Sequence, residues 1–132
     1  MFQNAKPWLD AAALTVGGAA GVNLRHWIGI WLRDLASPRF PWPVFLINVT
    51  GSFAIGFIAT TFPAWLPNPR FRLLVVTGFL GGYTTFSSYS LESLLLLERG
   101  DRLLALLYWA GSPVAGMIAV VAGVWIGKQI AM

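Results

Sequence analysis

The stretch Thr77 to Glu92, TGFLGGYTTFSSYSLE, sets three glycines and six serines or threonines in the middle of a hydrophobic segment, with a carboxylate at its end. A membrane helix is not ordinarily filled this way. In hydrocarbon every backbone N–H and C=O must find an internal partner, so a glycine pair followed by two β-branched threonines reads as a helix that opens inside protein or against a cavity. The interruption is expected at Gly81 to Thr84. Where a helix opens at membrane depth, freed carbonyls can hold a cation, while hydroxyls and aromatic ring edges can serve an anion.

The surrounding chain supports a membrane setting. Of its 132 residues 57% are hydrophobic and only 11% charged, whereas a soluble domain carries about 25% charged residues. With about 20 apolar residues needed per span, the chain has room for four spans and short loops, so residues 1–132 read as one all-α transmembrane domain. The nine basic residues behind the net charge of +4 are scattered singly and form no stripe for nucleic acid. Cysteine is absent, which excludes disulfides and thiolate metal sites. Lys6 precedes an alanine-rich run as in a signal peptide, but Asp10 interrupts the approach and the run continues to Trp31, which favours a retained first span.

The expected spans are roughly 9–32, 44–62, 72–98 and 103–126. In the first, Gly17, Gly21, Arg25 and Gly29 recur every four residues as a small-residue stripe that lets helices approach closely. Arg25 on that stripe either faces protein or water, as an intramembrane arginine should, or snorkels toward the interface near Arg33. His26 has no partner cluster and reads as a packed or interfacial residue. The Arg33 to Pro43 segment suits an interfacial connector. In the second span Asn48, Ser52 and Gly56 share a face, with Asn48 either interhelical glue or a donor aimed at a pore. Pro63 to Pro69 reads as a tight turn. Past the interruption Phe86 and Tyr89 fall on one face among flanking hydroxyls. Gly100 lies in a charged turn, and Tyr108, Ser112 and Gly116 form a polar and small stripe on the fourth span, where Pro113 can kink the helix.

Four spans place Lys6, Arg70, Arg72 and Lys128 on one side and Arg33, Arg39, Arg99 and Arg102 on the other. This balance removes the usual bias in orientation. Because four short helices with polar stripes do not enclose a pore alone, a homodimer, and an antiparallel one, is expected.

On these residues the chain resembles the small fluoride ion channels of the CrcB or Fluc family. The family's third-span pattern G-G-x-T-T-F-S-T-F-S-x-E is matched by Gly81, Gly82, Thr84, Thr85, Phe86, Ser87, Ser90 and Glu92. A second block is matched by Asn48, Gly51, Ser52, Phe53 and Gly56, and a first-span pattern by Gly21, Leu24 and Arg25. The resemblance implies a passive channel in a bacterial inner membrane that exports cytoplasmic fluoride, built as a dual-topology homodimer. It implies a buried structural Na⁺ on the backbone carbonyls of Gly81 and Thr84 from both subunits. Phe86 and Tyr89 would form an aromatic box, Asn48 would donate to the ion, and Tyr108 and Ser112 would lie on the partner-facing wall. Thr85, Ser90 and Glu92 would form a polar track, and Arg25 would raise the local potential. Ser88 stands for the usual threonine, Tyr89 for the second phenylalanine and Pro43 for a glycine.

Three rival classes are weighed. A small four-helix multidrug or cation exporter resembles such a chain but carries a first-span glutamate, and here no acid lies between Asp10 and Asp34. A non-conducting scaffold or assembly subunit would explain the glycine stripes but not the hydroxyl-rich interruption, while the departure at Tyr89 leaves open one non-autonomous subunit of a heteromeric fluoride channel. An enzyme is not expected, since no nucleophile, base and orienter share a spacing suited to catalysis.

Overall fold

The computed structural model describes residues 6–35, 39–62 and 67–131. Within them every regular element is helical: α1 (Pro7–Leu35), α2 (Trp42–Thr61), α3 (Pro69–Phe71), a π-helical segment (Arg72–Leu80), α4 (Gly81–Tyr83), α5 (Phe86–Glu98) and α6 (Arg102–Ala131). The middle of the Arg33 to Pro43 connector and most of the turn at Pro63 to Pro69 lie outside the described residues.

Sequence chemistry sets the element ends. Pro43 falls in the first turn of α2, where its missing N–H has no intrahelical partner to lose. Asn68 caps α3, its side-chain oxygen accepting from the N–H groups of Arg70 at 3.0 Å and Phe71 at 3.4 Å. The turn after α5 is closed by bonds from Gly100 N–H to the Leu97 carbonyl and from Asp101 N–H to the Leu96 carbonyl. This pairing requires a left-handed residue, and Gly100 has φ +84°. Gly100→Ala is therefore expected to lower stability by about 1 kcal/mol, read as a lower thermal unfolding midpoint in detergent.

The helices pack as two close pairs. α1 lies along the π segment and α4, while α2 lies along α6; α5 turns back onto α6. Glycine removes the side-chain layer at each contact. Between α1 and the third rod, which is made of α3, the π segment, α4 and α5, a Cβ on Gly17 would run into the Leu74 carbonyl and one on Gly21 into the Phe79 carbonyl. From the other side, a Cβ on Gly78 would lie 3.1 Å from Gly17 Cα, and one on Gly82 2.8 Å from the Gly18 carbonyl oxygen. Gly56 and Gly123 do the same between α2 and α6 against the carbonyls of Val120 and Phe53. Gly29, the last glycine of the first-span stripe, has nothing within 4 Å of its Cβ position. Gly29 therefore takes no part in the close contact.

The apolar core is small: Tyr89, Leu96, Ala105 and Tyr108, with Phe40, Val44, Phe45 and Leu104 against them. α2 and α6 are each long and apolar enough to cross a membrane, yet only 17% and 11% of their most apolar windows are buried within the chain. Their outward faces therefore need a nonaqueous solvent or a partner. α1 is diluted by Asn23, Arg25 and His26, and the third rod is divided, so neither passes the same test of length and hydropathy.

Candidate functional site

The division of the third rod lies two residues later than the glycine pair. Gly81 and Gly82 are helical, and the extended residues are Thr84 (φ −81°, ψ 159°) and Thr85 (φ −151°, ψ 114°). The physical reason lies in the threonines. Thr84 ends the incoming helix by giving both its N–H and its hydroxyl to the Leu80 carbonyl, each at 2.9 Å. Thr85 starts the next helix as its N-cap, its hydroxyl accepting from Ser88 N–H at 3.2 Å.

Asn48 holds this junction from α2. Its Oδ1 accepts from Thr85 N–H at 2.8 Å and its Nδ2 donates to the Thr85 carbonyl at 3.1 Å, so one carboxamide grips both ends of one residue's backbone. The two readings of Asn48 meet here: it joins two elements, and it also lines both grooves described below. Arg25 reaches the same junction from α1, its guanidinium donating to the Thr84 carbonyl at 3.2 Å. It faces protein, and does not reach back toward Arg33.

The redirected donors matter to the carbonyls. In an uninterrupted helix Thr85 N–H would bond the Gly81 carbonyl and Ser88 N–H the Thr84 carbonyl. Here the first goes to Asn48 and the second to the Thr85 hydroxyl. The carbonyls of Gly81, Gly82, Tyr83 and Thr84 all lose their helical donors at this junction, those of Gly81 and Thr84 because Asn48 and the Thr85 hydroxyl take the donors. Oxygen ligands of this kind suit a hard monovalent cation, and the Thr84 carbonyl keeps a second lone pair beside Arg25. Among the described residues no group of three or more His, Cys, Asp or Glu side chains could hold a metal.

Two grooves meet at Asn48, Ser52 and Phe86. The first, of about 410 Å³, is lined also by Gly81, Thr84 and Thr85. The second, of about 330 Å³, continues along α6 past Tyr89, Ser112, Pro113 and Gly116. Neither lining contains a charged side chain. Ser112 Oγ and Tyr108 OH are buried without a hydrogen-bond partner, while the Tyr108 ring packs 5.5 Å from both Tyr89 and Phe40. Phe86, 5.6 Å from Tyr89, is 79% exposed. The Tyr89 hydroxyl donates to the Trp109 carbonyl.

The structure thus brings Arg25, Asn48, Thr84 and Thr85 into one cluster, and Phe86, Tyr89 and Ser112 along the adjoining groove. Ser90, Glu92 and Tyr108 line neither groove, and Ser90 spends its hydroxyl on the Phe86 carbonyl at 3.0 Å. Sequence reasoning passed over Tyr83. It is buried, with its hydroxyl 2.8 Å from that of Thr50, and it ties α4 to α2. No local pattern marks that pair, which is separated by 33 positions.

A helical scaffold with lipid-compatible outer faces and an uncharged, donor-lined groove defines a membrane protein of the small transport class. The chain belongs to the family described as CrcB-like protein, Camphor Resistance (CrcB), which matches residues 12–124. It is 45% identical over 108 residues to a fluoride-specific ion channel FluC of Rhizobium meliloti (strain 1021), covering 81% of this chain and 86% of that protein. It is 42% identical over 117 residues to the protein of the same name from Chloroflexus aurantiacus (strain ATCC 29366 / DSM 635 / J-10-fl), covering 88% and 93% of the two chains. With that of Agrobacterium fabrum (strain C58 / ATCC 33970) it shares 40% over 123 residues, 92% of this chain and 98% of the other.

Proposed function

We propose that this protein is a passive, fluoride-selective channel that lets anion accumulated in the cytoplasm leak out across a bacterial inner membrane. The observation that carries the reading is the run of uncharged donors through the two joined grooves. Fluoride is small, strongly hydrated and a strong acceptor, so a low-dielectric path has to replace its water with donors. Asn48 Nδ2 has a second hydrogen beyond the one given to Thr85, and Ser112, in the lining of the second groove, has a hydroxyl with no other partner; the Tyr108 hydroxyl, also unpartnered, belongs to neither lining. The positive edges of Phe86 and Tyr89 attract an anion without the grip of a full charge, and several weak sites permit exit as well as entry. Arg25 adds positive potential at the junction. Hydrogen fluoride enters cells neutral and ionises inside, and an inside-negative potential then drives the anion outward.

The working unit in this reading is an antiparallel homodimer. The exposed Phe86 ring and the open grooves of one chain call for a second copy to complete the wall. The carbonyls of Gly81 and Thr84, joined by those of the second copy, would hold a structural Na⁺, which raises the local potential for an anion.

The test is ion efflux from liposomes holding the purified protein. Fast fluoride efflux without chloride efflux is expected, and replacing Na⁺ by a larger monovalent cation is expected to slow it. Efflux of neither ion would overturn the autonomous channel and point to a subunit that needs a partner. Equal efflux of both would overturn the selectivity.

A further inference from the structure

We infer that the Tyr89 hydroxyl is the positioning partner of Pro113: it supplies the hydrogen bond that the proline takes from the Trp109 carbonyl, and so fixes the Phe86–Tyr89 ring pair against α6. Pro113 lies inside α6. Having no N–H, it offers nothing to the carbonyl four residues earlier, that of Trp109. The group that donates to this carbonyl comes from another helix, the hydroxyl of Tyr89. Tyr89 is only 7% exposed and the bond is partly buried, although the Trp109 residue is 60% exposed, so an unpaired carbonyl there is costly.

The geometry gives this bond a second consequence. Tyr89 is anchored at one end by the α5 backbone and at the other by its hydroxyl on α6, so the side chain cannot swing away from α6 without breaking the bond. That ring lies 5.6 Å from Phe86 and 5.5 Å from Tyr108, and it lines the second groove together with Pro113 and Ser112. A phenylalanine at position 89 keeps the ring and loses the anchor. The two residues therefore form a unit: the proline creates the need and the tyrosine meets it.

The bond itself does not depend on the channel reading; its effect on conduction does. Wild type, Tyr89→Phe, Pro113→Ala and the double variant are compared by thermal unfolding in detergent and by fluoride and chloride efflux per reconstituted protein. Tyr89→Phe is expected to lower the unfolding temperature by roughly 4 °C and fluoride efflux by about tenfold. Pro113→Ala restores a helical N–H for the Trp109 carbonyl, so the double variant is expected to return close to the Pro113→Ala protein in both readouts. Wild-type behaviour of Tyr89→Phe, or a double variant no better than Tyr89→Phe, would overturn the pairing. Recovery in unfolding with efflux unchanged throughout would overturn the positioning role. Recovery in unfolding with no efflux from wild type would support the pairing and overturn the channel reading.

Discussion

Asn48→Asp is expected to abolish fluoride efflux. The two side chains have the same shape, so the variant keeps one bond, with a carboxylate oxygen accepting from Thr85 N–H. The other bond is inverted. Where Nδ2 donates to the Thr85 carbonyl at 3.1 Å, an aspartate sets oxygen against oxygen. The new charge also lies at the meeting point of the two grooves. A unit charge about 4 Å from the path of an anion, at an effective dielectric near 20, repels it by about 4 kcal/mol, which corresponds to about a thousandfold in occupancy. Asn48→Ala removes the donor to the ion without adding the charge and is expected to lower efflux at least about tenfold, ~1.4 kcal/mol for the lost contact to the ion, with both bonds to the Thr85 backbone lost besides. Liposome efflux ranks the three proteins. Wild-type flux through Asn48→Asp would overturn the place of Asn48 on the ion path.

Gly21→Val is expected to lower the folded yield severely, while Gly29→Ala on the same helix is expected to leave it intact. The two glycines share one stripe in the sequence, yet they meet different neighbours. A Cβ on Gly21 collides with the Phe79 carbonyl and lies 2.9 Å from Tyr83 N, both backbone atoms. No rotamer change relieves that contact, so α1 must move off the π segment. Overpacking of this kind costs on the order of 3 kcal/mol or more, a large share of the roughly 5–15 kcal/mol that holds a domain folded. The separation would also withdraw Arg25 from the Thr84 carbonyl. Size-exclusion chromatography of detergent-solubilised protein reads the outcome as the fraction recovered in the folded peak. A normal yield of Gly21→Val would show that the approach of α1 is not limiting.

Gly17 and Gly21 were legible because helical spacing alone puts them on one face. Their counterparts Gly78 and Gly82 were not. Spacing says which residues share a face, not which face it meets, and the π geometry of Arg72–Leu80 shifts the phase of the second surface. The interruption of the third span was read from its glycines, whereas the residues that leave helical geometry are threonines using their hydroxyls to end one helix and begin another. Asn48 stood out as a deep polar residue, but its main partner is the Thr85 backbone, and a backbone group carries no sequence signal. Tyr89 and Pro113 each departed from an apolar helix pattern. Their link joins side chain to carbonyl across two helices, which no periodicity connects.

The π-helical segment gives chain length a meaning in this protein. Its hydrogen bonds reach one residue farther than those of an α-helix, and it is followed without interruption by Gly81–Tyr83 and then the extended threonines. Each residue of an α-helix turns the chain by about 100°. The wider π turns advance by less than this per residue, yet deleting one residue from Gly81–Tyr83, the α-helical turn that follows them, would rotate everything beyond it through about 100° relative to α1 and α2, carrying the Thr84 carbonyl away from Arg25 and the Thr85 backbone away from Asn48. Every functional group would still be present, aimed elsewhere. Over this part of the chain the distance along the sequence acts as an angular setting, and a deletion is a harsher change than any conservative substitution.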